Sequence, residues 1–132
     1  MKAYWDASAL VDACADLELR SRVKRERPFT RTHSLAEIFS ALTGGGNLGI
    51  RVDANEAHAT IEDLARDLDF VDLTPTEVLT AFKTARAKGV RGGRVHDYLH
   101  AVAAEKEKAA EIVTVDENDF HELTGLKIVQ LS

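Results

Sequence analysis

A chain of 132 residues, 45% hydrophobic and 30% charged, has the length and composition of one soluble globular domain. It carries enough apolar side chains to offset the entropy of ordering, which excludes a disordered chain, and 8 Gly with 2 Pro exclude collagen-like and low-complexity classes. Seventeen basic against 22 acidic residues leave a net charge of −5, which argues against indiscriminate duplex binding but leaves room for a local basic rim.

With Cys14 as the one cysteine, no intrachain disulfide forms, and a reduced, cytoplasmic setting is expected. The apolar opening around 9–15 is interrupted by Asp6, Asp12 and Asp16. It falls short of the roughly 18 uncharged residues of a membrane span and lacks a signal-peptide core.

Lys2 to Trp5 is a short apolar run ending in Asp6 and reads as a buried first strand. Ser8 to Ala15 reads as a helix, with Leu10, Val11 and Cys14 at helical spacing. Leu17 to Arg27 is highly charged and leads to Pro28 and a second extended piece, Phe29 to Thr32. Leu35, Ile38, Phe39 and Leu42 fall at i, i+3, i+4 and i+7, an amphipathic helix that Gly44, Gly45 and Gly46 stop. Asp53 to Asp67 is helical by the placing of Ala57, Ile61, Leu64 and Leu68, whose apolar face is a candidate interface.

Phe70 to Leu73 reads as a strand. Thr74-Pro75 opens a helix with the stripe Val78, Leu79, Phe82 and Ala85, ending near Gly89. After a Gly92-Gly93 loop, Val95, Leu99 and Val102 mark the next helix. Ile112 to Val115 reads as a strand ending at Asp116, Phe120 to Leu123 as a short helical turn, and Lys127 to Leu131 as the last strand. The alternation predicts one α/β domain over 1–132, a central parallel sheet with helices on both faces.

In such a sheet ligands sit beyond the C-terminal strand ends. Asp6 and Asp116 end strands, while Glu37 and Asp97 lie in the first turns of helices, so all four carboxylates are expected at one edge. Two unit charges about 4 Å apart repel by roughly 4 kcal/mol at an effective dielectric near 20. Such a cluster needs protons or a cation, and its hard oxygen ligands suit Mg²⁺ or Mn²⁺. These ions lower the pKa of a bound water and stabilise charge on a phosphoryl group, so the constellation points to phosphodiester hydrolysis.

Four motifs together resemble the PIN domain family. Tyr4-Trp5-Asp6-Ala7-Ser8-Ala9-Leu10 is similar to its opening strand and D-x-S/T, and Ser34-Leu35-Ala36-Glu37-Ile38 to its helical glutamate. Val95-His96-Asp97-Tyr98-Leu99-His100-Ala101 is similar to the segment of its third acid, and Thr114-Val115-Asp116-Glu117-Asn118-Asp119-Phe120 to its closing signature. The match covers essentially the whole chain and is nearest the VapC toxins of bacterial and archaeal toxin–antitoxin pairs. The resemblance implies a Mg²⁺- or Mn²⁺-dependent endoribonuclease acting on structured RNA such as tRNA or rRNA. It implies a homodimer and inhibition by a VapB-type antitoxin. Asp6, Glu37, Asp97 and Asp116 are the expected metal ligands and catalytic residues, with Asp119 a second candidate for the fourth position. Tyr98, bulky where the family often has a small residue, is expected to narrow the groove.

Plainer readings stand beside these. Ser34-x-x-Glu37 is also a capping box, Asp6 a helix cap, Asp116 an Asx turn, Asp119 a cap and Asp97 a solvent-exposed helix residue. Ser8 and Thr114 are candidates to orient Asp6 or a water, or are ordinary helix-start and strand residues. His96 and His100 have zinc-ligand spacing without a third soft ligand. His96-Asp97 also matches the dyad of HD phosphohydrolases, whose fold is all-helical. Arg20, Arg22, Lys24, Arg25 and Arg27 form one basic stretch, and Lys83, Arg86, Lys88, Arg91 and Arg94 another. Each is either a solvated face or a set of RNA phosphate contacts. Cys14 reads as a small core residue. The rival function is a catalytically inactive PIN-fold module that binds RNA or a protein.

Overall fold

The computed structural model describes residues 2–44 and 51–131. Its elements are β1 (Tyr4–Trp5), α1 (Ala7–Ala15), α2 (Leu17–Glu26), β2 (Phe29–Thr30), α3 (His33–Gly44), α4 (Ala54–Ala65), β3 (Asp69–Phe70), α5 (Pro75–Ala85), α6 (Arg94–Lys106), β4 (Glu111–Thr114), a 3₁₀ turn (Glu117–Phe120) and β5 (Lys127–Gln130). The strands form one parallel sheet in the order β3-β2-β1-β4-β5. The expected α/β architecture is the one observed.

Side chains alternate across a strand, and β1 uses both of its positions for burial. Tyr4 faces a core built largely from α5 and α6, and Trp5 faces one built from α1 to α4. Neither is exposed. The register Tyr4↔Ile112 and Trp5↔Val113 sends Ile112 and Val113 to the same two cores. The chain builds outward from β1 to β2 and β3, then crosses back to place β4 on the other side of β1. That reversal opens a crevice at the C-terminal ends of β1 and β4.

Several expected elements shift. The charged run after Asp16 is helix α2, opened by the Asp16 side chain accepting from the Glu18 and Leu19 amides. Val23 alone is fully buried in it, so its core-facing stripe is too thin to stand out among the charges. The strand expected at 70–73 is Asp69–Phe70, with Leu68 and Val71 buried on either side. The helical turn expected at 120–123 starts earlier, at Glu117, because the Asp116 side chain accepts from the Asn118 amide. Gly44 is the last residue of α3, while Gly45 and Gly46 lie outside the described residues. The apolar face of α4 is not a free interface: Ala57, Ile61 and Leu64 are buried in this chain's own core. Exposed apolar side chains sit instead on α5, at Leu79 and Phe82, and at Phe39 on α3.

Thr30, at the end of β2 and fully buried, ties the site-bearing elements together. Its hydroxyl donates to the Trp5 carbonyl at 2.8 Å and lies 2.7 Å from the Ser34 hydroxyl. Thr30→Val keeps the shape and strands both partners without solvent. It is expected to destabilise the fold by about 1–3 kcal/mol, measured as the shift in a urea unfolding curve at unchanged slope.

Candidate functional site

Asp6 leaves β1 and opens α1. Its Oδ1 accepts from the Ala9 amide at 3.0 Å, the helix cap, and from Ser8 Oγ at 2.7 Å. Its Oδ2 accepts from Thr114 Oγ1 at 2.7 Å. The two hydroxyls in turn accept amides from the segment after β4: Val115 N–H to Ser8 at 3.2 Å and Asp116 N–H to Thr114 at 3.4 Å. Ser8 and Thr114 thus hold the Asp6 carboxylate and lace the end of β1 to the end of β4. Capping and site placement coexist in Asp6. A carboxylate has about four acceptor positions, and these three bonds leave one on Oδ2.

Glu37 is not part of a capping box. Helix α3 begins at His33, so Ser34 lies inside its first turn, fully buried and bonded to Thr30. Glu37 is therefore beyond reach of the helix start and instead accepts from His100 Nε2 at 3.0 Å. Burial pushes its pKa up, but the His100 hydrogen bond, with the charges of His100, His33 and Arg31, outweighs burial and leaves Glu37 below its ordinary value.

Asp97, in the first turn of α6, is partly buried rather than solvent-exposed. Burial, then the negative charges of Asp119, Asp6 and Glu37, push its pKa up to about 6 against the opposing charge of His100. Asp119, also partly buried, is raised by burial and by Asp116 and Asp6, with Arg94 opposing. Asp97 therefore feels the charge of Asp6, Glu37 and Asp119, and Asp119 feels that of Asp6 and Asp116. Asp116 is exposed and caps the 3₁₀ turn, acting on this group through Asp119.

The basic stretches divide. Arg20 is bound to Asp67 at 2.8 Å and Asp63 at 3.1 Å, and Arg22 packs over the Trp5 ring and pairs with Glu26 at 2.7 Å. Both are committed to the fold, not to a free RNA-contacting face. Lys24 and Arg25 are exposed beside Arg27, which pairs with Asp69 at the first residue of β3. They lie toward the N-terminal edge of the sheet, opposite the acids. The second stretch lies at the acidic edge: Arg94 donates to the His121 carbonyl and Lys88 to that of Leu123, flanking Asp119. Arg86 and Arg91 are exposed.

Two residues near the acids were not singled out by sequence reasoning for the part they play. His100, 2% exposed, bonds Glu37 on one side and the Tyr4 hydroxyl on the other. Its i, i+4 spacing from His96 suggests zinc, but His96 is exposed and stacks on His33 at 6.2 Å. Arg31, whose charge reaches Glu37 and Tyr4, has one buried guanidinium nitrogen without a hydrogen-bond partner. Its place just past β2 is its only signal in the sequence. Tyr98 does not narrow the groove. It is buried against α5, its hydroxyl on Thr84.

Among the described residues, no three His, Cys, Asp or Glu side chains converge closely enough to hold an ion by themselves. The donors fit a hard divalent cation in kind, being carboxylate oxygens. Asp97 and Asp119 are raised first by burial and then by the neighbouring acids, so their charged forms are costly here without a cation.

The model of the PIN domain family matches residues 3–126. The chain belongs to the PIN domain family. Comparison with curated proteins finds no match. Among solved structures, this PIN domain is similar to PAE2754 from Pyrobaculum aerophilum, with a TM-score of 0.71 and 23% identity over 98% of this chain and 90% of that one. It is also similar to a chain of VapBC2 from Rickettsia felis, solved bound to a DNA fragment from its promoter. There the TM-score is 0.73 and the identity 16%, over 100% of both chains. At these identities the likeness is one of fold. No helix of the described residues is long and apolar enough to cross a membrane.

The charge on Asp97 makes stability depend on pH. Unfolded, it titrates near 3.8; folded, near 6. Between those values the native PIN domain holds a proton that the unfolded chain has lost, so this contribution to stability falls as pH rises through the window. Asp97→Asn is expected to match the wild type near pH 3.5 and to exceed it by about 1–3 kcal/mol at pH 8 in EDTA. Paired urea unfolding curves at the two pH values measure this.

Proposed function

We propose that this PIN domain is a VapC-type, Mg²⁺- or Mn²⁺-dependent endoribonuclease, held in check by a VapB-type antitoxin. The observation that carries this reading is the convergence of charge on Asp97 beyond the switch point of the sheet, where burial and then Asp119, Asp6 and Glu37 push it up to about 6. Asp6, Glu37, Asp97 and Asp119 would hold the ion, with Asp116 beside them. When bound, the ion supplies charge neutralisation at the scissile phosphoryl group and a lower pKa for water.

The chain's own residues do the positioning. Asp6 is held by three donors and so presents its remaining oxygen position without rearrangement. Arg91 and Arg94, with Arg86 and Lys88 behind them, supply cations that hold RNA phosphates against an edge that would otherwise repel them. Hydrolysis adds a water oxygen to phosphorus and releases the 3′-oxygen, giving a 5′-phosphate and a 3′-hydroxyl.

Structured RNA such as tRNA or rRNA is the proposed substrate. Exposed Leu79 and Phe82 on α5 supply apolar surface for a homodimer. The Rickettsia felis fold relative was solved as VapBC2, and a VapB-type partner for this chain follows that precedent. The lack of a closed three-ligand group among the described residues favours, as second reading, a PIN fold that binds RNA without cutting it.

Purified protein with Mn²⁺ is expected to cut total cellular RNA into discrete fragments bearing 5′-phosphates. EDTA abolishes cleavage, and Asp6→Asn lowers it on the order of 10³-fold, several kcal/mol of lost transition-state stabilisation. Intact RNA in the wild-type reaction favours the binding module, and 2′,3′-cyclic phosphate ends show attack by the ribose hydroxyl instead of water. Arg91→Ala is expected to weaken RNA binding and to flatten its salt dependence by about 0.7 in log–log slope.

A further inference from the structure

We propose that His100, itself anchored by Tyr4, is the positioning residue that fixes the Glu37 carboxylate in the acidic site. The inference rests on the metal-site reading of Glu37 and adds to it the device that aims this ligand.

The geometry defines the proton arrangement. Glu37 Oε1 lies 3.0 Å from His100 Nε2, and an ionised carboxylate only accepts, so Nε2 carries the hydrogen. His100 Nδ1 lies 2.7 Å from the Tyr4 hydroxyl, which donates to it when the imidazole is neutral and accepts from it when the imidazole is charged. In either protonation state Nε2–H donates to Glu37, while the Tyr4 hydroxyl holds the ring from its other nitrogen. Burial pushes the Tyr4 phenol well above its ordinary range, so the hydroxyl stays protonated and able to serve either role. Tyr4 is unexposed and His100 is 2% exposed, so water does not compete for either bond. The Tyr4 and His100 rings meet edge to face at 5.7 Å.

The relay also spans the site. Tyr4 is two residues before Asp6 on β1, and His100 is three residues after Asp97 on α6. Glu37, on α3, thus takes its orientation from β1, which leads into Asp6, and from α6, which carries Asp97. Of the other cations facing Glu37, His33 is 4.0 Å away and 49% exposed, and Arg31 acts through charge rather than a hydrogen bond. An imidazole buried for packing alone would be replaced by Leu without loss at the site; one that orients a ligand would not.

The test is Mn²⁺ titration calorimetry on the full chain, with thermal unfolding in EDTA confirming that each variant is folded. His100→Leu is expected to weaken Mn²⁺ binding about 10–100-fold. His100→Gln, which keeps an amide donor for Glu37, recovers most of that loss. Tyr4→Phe, which keeps the ring, weakens binding in the same direction and carries the test if His100→Leu does not fold. In a Glu37→Ala background, His100→Leu brings no further loss, because its effect runs through Glu37. Folded variants that bind Mn²⁺ as the wild type does, or a His100→Leu loss that persists in full without Glu37, overturn the inference while leaving the ribonuclease reading intact. A wild-type protein that neither binds Mn²⁺ nor cuts RNA overturns that reading, and this inference with it.

Discussion

The buried carboxylate of Asp6 is the constraint on which the site and much of the fold depend. At 4% exposure it has little water to solvate its charge, so the protein supplies the donors itself. Each donor fixes a different piece of structure. The Ala9 amide sets where α1 starts, Ser8 sets the rotamer of its own first turn, and Thr114 sets the alignment of β4 against β1. Because the two hydroxyls accept amides from 115 and 116, the chain beyond β4 is drawn down toward the same carboxylate. That segment carries Asp119. One buried charge thus organises the start of a helix, a strand pair and the approach of a second acid.

The acids at this edge are not equivalent, and the difference comes from their partners. Glu37 has a hydrogen-bonding imidazole and nearby cations, and its pKa falls despite burial. Asp97 is raised first by burial and then by three other carboxylates, with only the charge of His100 opposing. The edge therefore joins a well-compensated acid to an under-compensated one. Charge left uncompensated in a partly buried place is costly for the free protein, and a cation from solution relieves it. On the metal-site reading, the same imbalance would supply driving force for binding a cation there.

Much of this was legible in the amino-acid order because the strong signals are local. The stripe Leu35, Ile38, Phe39, Leu42 and the opening Thr74-Pro75 follow from helix periodicity and capping, and α3 and α5 are where those patterns place them. Asp6 and Asp97 stand where a strand ends and a helix begins, so the topology alone brings them to one edge. What was not legible depended on contacts distant in sequence. Ser34-x-x-Glu37 has the spacing of a capping box, yet Thr30 draws Ser34 inward and Glu37 finds a partner 63 residues away. His96 and His100 look like a ligand pair by spacing, but the sheet places one in solvent and the other against Tyr4, 96 residues distant. Helix α2 was hidden for another reason. Its charges dominate the composition, and a single fully buried valine gives too little periodicity to read.

The two basic stretches show the same limit at the level of function. By composition they are alike, each with five cations in a short span. Their fates differ because of what the fold sets opposite them. The first meets Asp63, Asp67 and Asp69, which neutralise Arg20 and Arg27 and bind α2 to α4 and β3. Those charges are internal to the protein's electrostatics and contribute little field to an approaching polyanion. The second runs from the end of α5 into α6, where Arg94 and Lys88 donate to backbone carbonyls, which orient a cation without cancelling its charge. Cations held in that way, beside carboxylates that would repel RNA on their own, give the edge a mixed field. On the proposed ribonuclease reading, a phosphate backbone would be drawn to the rim and a divalent ion between the acids. With a net charge of −5 the molecule as a whole does not attract a polyanion, so on that reading capture of an RNA substrate would fall to this rim.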